Sequence, residues 1–94
     1  MKEVKYTEHL RIRLQYRGYS LNLPRRIYQE SRERYFDIST DHHIAVHEVR
    51  VGGKTRCMMI AYDDYFSYVD IVTIHPVNRN QIENRAASGR WIKN

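Results

Sequence analysis

Two histidines and a set of arginines carry the chemistry this sequence could do. His9, Arg13 and Arg17 recur at i, i+4 and i+8, a single stripe if the segment is helical. His75 stands before Pro76 at the end of a run rich in β-branched residues, and Arg85 and Arg90 follow it closely. Histidine titrates near neutrality and can give or take a proton. A guanidinium holds phosphate oxygens bidentately. His9 and His75 are therefore candidate proton carriers, and Arg13, Arg17, Arg85 and Arg90 candidate clamps, for chemistry on an anion. Trp91 and Tyr68 offer aromatic faces on which a base could stack. Each residue also has a structural reading. His9 could bond a helix to a sheet, His75 could cap a strand end, Arg17 could serve only the helix dipole, and Trp91 could be a core plug.

The elements that must position these residues are legible in part. Tyr68–His75 has strand composition, and Pro76, which cannot donate a ladder hydrogen bond, predicts its end. Asn78 three residues before Gln81 is a capping-box pattern, opening a helix that runs through Ile82 and Ala86 and stops at Gly89. At the other end, Thr7 is a fitting N-cap for a helix over Glu8 to Arg17, with Leu10 and Leu14 on one face and Gly18 as the stop. Pro24 suits the first turn of a second helix, roughly Pro24 to Arg34. The tight connection between the two predicts an antiparallel helical hairpin.

From Tyr35 the period changes. Tyr35–Ser39 reads as a short strand and His42–Val51 as a longer one. Gly52-Gly53 is a two-residue hairpin signal that predicts Val51 beside Lys54, and Lys54–Tyr62 reads as a central strand. Ile44, Val46, Met58, Ile60, Ile71 and Thr73 are expected on one sheet face. The expected order is α-α-β-β-β-β-α, one α+β domain over residues 1–94. Its sheet is a four-stranded antiparallel meander between an N-terminal helical hairpin and a C-terminal helix.

Composition bounds the function. Hydrophobic residues at 41% and charged residues at 29% are globular values. No apolar run approaches the roughly 20 residues of a membrane span, and the opening MKEVKYTEH lacks an apolar signal core, so a cytoplasmic protein with no membrane partner is expected. Cys57 is the single cysteine and has no internal disulfide partner. Residues 1–34 hold nine basic and four acidic side chains, residues 35–76 three and six, and residues 77–94 four and one. Basic ends thus flank an acidic centre. With eight tyrosines and one tryptophan, such a surface suits a nucleic-acid backbone with stacked bases, or is merely a soluble basic surface.

Other patterns are set aside. Asp41, His42, His43 and His47 are metal-ligand types, but on a strand His42 points away from the face that His43 and His47 share, and no cysteine pair supports a zinc site. Asp63-Asp64 reads as a turn. There is no glycine-rich phosphate loop and no nucleophilic serine or cysteine in a recognisable setting. No metal and no cofactor is expected.

The opening YTEHLRIRLQYRGYS resembles the H-x-x-x-R-x-x-x-R-G start of a family of small domains related to BrnT-type toxins, and DIVTIHPVNRNQIENRAASGRW is similar to a C-terminal pattern of the same group. The wider relatives are the RelE/ParE-like toxins of type II toxin–antitoxin pairs. The resemblance implies a RelE-like fold, cleavage of mRNA without a metal, and restraint by an antitoxin. It implies no catalytic set, so the site is argued from chemistry. A base must take the ribose 2′-proton, an acid must protonate the leaving 5′-oxygen, and cations must hold the phosphate. The expected function is thus a toxin-like endoribonuclease, with RNA and an antitoxin as partners and a homodimer left open. A non-catalytic RNA- or protein-binding domain is the alternative. A DNA-binding regulator ranks third, since no helix-turn-helix stands out.

Overall fold

The structure is a computed structural model that describes residues 2–94. Its elements are β1 (Glu3–Tyr6), α1 (Glu8–Arg17), α2 (Leu23–Glu30), β2 (Glu33–Asp37), β3 (His42–Val51), β4 (Lys54–Asp64), β5 (Tyr68–Pro76), α3 (Arg79–Ala87) and β6 (Trp91–Lys93). The strands form one mixed sheet in the order β1-β5-β4-β3-β2-β6, with β1 parallel to β5 and the other pairs antiparallel. The chain is α+β. The four-stranded RelE-like meander with a helical hairpin at its start is overturned: the sheet has six strands, and both edges come from the chain's two ends.

Local signals explain several boundaries. The Thr7 hydroxyl accepts from the Leu10 amide, and Gly18, at φ 70, closes α1 in the left-handed region where glycine carries no Cβ penalty. The Asn78–Gln81 capping box forms in both directions. The second helix is shorter than expected. It stops at Glu30 because the Ser31 hydroxyl turns inward to the Val46 carbonyl at 2.6 Å and the chain enters β2 at Glu33. Nor do the helices form a hairpin packed on itself. Instead α1 lies along β5 and α2 lies across β3 and β4, where Leu10, Leu14, Leu23 and Ile27 share one apolar layer with Val49, Met58, Ile60 and Ile71.

The opposite face carries a smaller layer under α3, in which Ile44, Val46, Met59, Ala61, Val77 and Ile82 meet Tyr35 and Trp91. The six residues expected on one face therefore divide. The Gly52-Gly53 turn places Val51 opposite Lys54 and so Ile44 opposite Ala61, which pairs even positions of β3 with odd positions of β4. Ile44, Val46 and Thr73 face α3; Met58, Ile60 and Ile71 face α1 and α2.

A β-bulge makes the second division. Ala61 pairs with Thr73 and Tyr62 with Ile71, which leaves Val72 as an extra residue in β5. Before the bulge Val69 and Ile71 point into the helical layer, and after it Ile74 does. With strict alternation His75 would join Val69 and Ile71 in that core. One extra residue reverses the alternation and aims His75 at the α3 face.

Candidate functional site

On the α3 face the sheet is only partly covered. A groove of about 380 Å³ remains, with Ile44, Ala61 and Thr73 on its floor and His42, His75 and Arg85 among its walls. The helix α1 flanks the edge of β5 beyond the point where β1 ends: the Thr7 amide and hydroxyl bond the carbonyls of Ile71 and Val72. Further along α1, the Arg13 Nε donates to the Ile74 carbonyl at 2.9 Å, and its Nη2 reaches the Nδ1 of His75 at 2.7 Å.

That contact assigns the imidazole tautomer. A guanidinium only donates, so Nδ1 of His75 is an acceptor, and the proton sits on Nε2, 3.3 Å from the Thr73 hydroxyl. Burial disfavours the charged ring and the charges of Arg13, Arg17, His9 and Arg85 add to it, so the pKa of His75 lies below its ordinary value. His75 is a neutral ring ringed by cations, with both nitrogens engaged. To take a proton at Nδ1 it must first part from Arg13.

Of the eight residues singled out from the sequence, His75, Arg85, Arg90 and Trp91 line this groove, Arg13 touches His75 beside it, and His9 and Arg17 act on His75 by charge. His9, Arg13 and Arg17 stand on α1, His75 on β5 and Arg85 on α3, while Arg90 directly precedes Trp91, the first residue of β6. They are not equivalent. The guanidinium of Arg90 holds Asp37 bidentately, Nε to Oδ1 at 3.1 Å and Nη2 to Oδ2 at 3.0 Å. Burial pushes the Asp37 carboxyl up, but Arg90, the Ser39 amide and the Trp91 indole outweigh it and hold the pKa below the usual value. Arg90 is thus committed to a carboxylate that is 2% exposed. Trp91 is equally buried; it packs on Tyr35, donates its indole N–H to Asp37 and carries the Arg85 guanidinium 5.0 Å from its ring centre. It supports the groove and offers no free face for a base. Arg85 is half-buried and its guanidinium makes one other polar contact, to the Met59 sulfur at 3.9 Å, so Arg13 and Arg85, like Arg17, have no carboxylate partner among the described residues.

Tyr68 stands apart. It begins β5, roughly 20 Å along the strand from His75 at about 3.3 Å per residue, where it stacks on Tyr65 and Lys5 lies over its ring. One groove residue escaped the reading of the sequence. His42 had been weighed only as a metal ligand, yet its Nδ1 lies 2.6 Å from Asp63 Oδ1. Among the described residues no three His, Cys, Asp or Glu side chains converge, and no helix is long and apolar enough to cross a membrane.

Comparison of the chain with protein-family models, with curated proteins and with solved structures returns no match.

Proposed function

We propose that this protein is a cytoplasmic, toxin-like endoribonuclease that cuts RNA without a metal and is restrained by an antitoxin, as the resemblance of its two ends to BrnT-type toxins implies. The observation that supports it is the meeting of the two ends at His75: Arg13 from the start of the chain touches its ring, Arg17 and His9 lie near enough to act on it by charge, and Arg85 from the end of the chain lines the same groove. The guanidinium groups of Arg13, Arg17 and Arg85 all stand close enough to disfavour a charge on His75, and like charges at short range repel. An RNA phosphate relieves that repulsion. Arg13 and Arg85 supply donors for it, and the Nε2 proton of the neutral imidazole adds a further one when it exchanges the Thr73 hydroxyl for the phosphate. A phosphate that draws Arg13 away also frees the lone pair of His75.

A second reading has its own observation. Both nitrogens of His75 are satisfied, by Arg13 and by Thr73, which suits a groove that binds RNA and does not cut it.

One experiment separates them. Binding and cleavage of a single-stranded RNA oligonucleotide are followed in EDTA across a salt series. The expected result is cleavage, with an affinity that falls with salt by about 0.7 in log–log slope per phosphate neutralised. Arg13→Ala should lower affinity and rate together and make that slope shallower by about 0.7. Binding without cleavage selects the second reading. Absence of binding at low salt removes both.

A further inference from the structure

The groove holds a second imidazole whose surroundings are the reverse of those at His75. The register of β3 and β4, carried one step past the pair His43 and Tyr62, sets His42 opposite Asp63. There Asp63 Oδ1 accepts from His42 Nδ1 at 2.6 Å, with both side chains about 30% exposed. Asp37 is the β2 neighbour of His42 in the ladder, but its carboxylate is taken by Arg90 and Trp91 and does not compete. Just before His42, Asp41 adopts φ 61, the one positive φ outside glycine among the described residues. The turn that delivers His42 to the groove therefore accepts a conformation L side chains rarely take.

Since the Asp63 carboxylate only accepts, Nδ1 of His42 carries a proton. Its Nε2 makes no hydrogen bond among the described residues and is left as a lone pair on a ring that lines the groove. This is the arrangement in which a carboxylate fixes the tautomer of an imidazole and stabilises the imidazolium once it forms. At His75 the same charge would form beside Arg13, which opposes it. Two rings of one chemistry are driven to different roles by what stands next to them.

Resting on the ribonuclease reading above, we propose that His42, oriented by Asp63, is the base that removes the ribose 2′-proton, while Arg13, Arg85 and the Nε2–H of His75 hold the phosphate. The 2′-proton passes to Nε2 of His42 as the 2′-oxygen bonds to phosphorus. The bond from phosphorus to the 5′-oxygen breaks, and that oxygen leaves with the electron pair and takes a proton from water at the open side of the groove. The products are a 2′,3′-cyclic phosphate and a 5′-hydroxyl, and His42 returns its proton to solvent. Asp63 touches no reacting atom and is a positioning residue.

The test uses the full chain, with kcat and KM measured on an RNA oligonucleotide, affinity measured on its 2′-deoxy analogue, and melting temperature recorded for every variant. His42→Ala should lower kcat by about 10²–10⁴, the range of general base catalysis, with affinity and melting temperature close to wild type. Added imidazole should restore rate in proportion to its concentration. Asp63→Asn should lower kcat by less and leave KM unchanged. His75→Ala should chiefly weaken affinity. If the wild type cleaves and His42→Ala cleaves equally well, or if imidazole restores nothing in a folded His42→Ala protein, the dyad is not the base and the ribonuclease reading stands. A loss in His42→Ala that follows melting temperature or affinity makes the pair structural. A wild type that does not cleave RNA ends both the reading and the role of the dyad.

Discussion

The two faces of the sheet were finished differently, and the site lies on the one left incomplete. On one face α1 and α2 together supply Leu10, Leu14, Leu23 and Ile27, all buried, and close the layer. On the other the nine residues of α3 bury Ile82 alone, and Trp91 completes what it can. Burial of one such side chain is worth about 1.5–3 kcal/mol, so four inward side chains against one is a large difference in what each face contributes. The thinner face can hold polar side chains such as His42, Thr73 and His75 over a partly open floor. The closed face carries the stability; the open one is available for chemistry.

The largest expected effect tests that contrast directly. Ile60 is fully buried in the closed layer, and Ile60→Ala should cost about 2–5 kcal/mol by chemical denaturation. Its neighbour Met59 faces the groove, so Met59→Ala enlarges a space already open to water and should cost clearly less. Equal losses would break the comparison.

A smaller effect separates two groups within the open face by pH. The carboxyl of Asp37 is held below its ordinary value of 3.8, so it contributes stability above that value and loses it as pH falls through the native pKa. Asp37→Asn should therefore melt lower than wild type at neutral pH, with the gap closing below about pH 4. His75 acts at a higher pH with a different sign in its charge. Its native pKa lies below 6.5, so as pH falls through that value the unfolded chain takes the proton first and stability declines. His75→Gln should remove that decline and leave the acid limb from Asp37 in place. Melting curves between pH 3 and 8 (roughly the span of both titrations) check the two together.

The smallest effect concerns the site's extent. Tyr68 is on the same strand as His75 but at its far end, so Tyr68→Ala should change RNA cleavage by less than about twofold, since it touches no reacting group. A loss of kcat as large as that of a groove residue would mean that the site runs the length of β5.

Signals confined to one turn were legible from the residues alone. Thr7 and Asn78 opened their helices, Gly18 closed α1, and Gly52-Gly53 made its hairpin, because each acts on backbone groups three or four positions away. The cationic character of both ends could also be read, and with it most of the groove's candidate residues. The division of Ile44 from Met58 was implicit in the two-residue turn, since opposite residues then sum to an odd number, but it is easily passed over when apolar residues run together.

Only the tertiary structure decided the rest, because each remaining feature depends on a partner distant in the chain. β1 and β6 are four and three residues long, too short for a period to show, and they exist because β5 and β2 offer free edges to pair with. The extra Val72, which turns His75 out of the core, sits in a run of β-branched residues with no local mark of a bulge. Arg90 looked like Arg13 until Asp37, distant in sequence, claimed it. His42 was set aside together with the metal-ligand types around it, and only the hairpin, by setting it against Asp63, gives it a partner. Residue types specify which groups can move protons or hold phosphate, but which of them is left free depends on neighbours that only the folded sheet supplies.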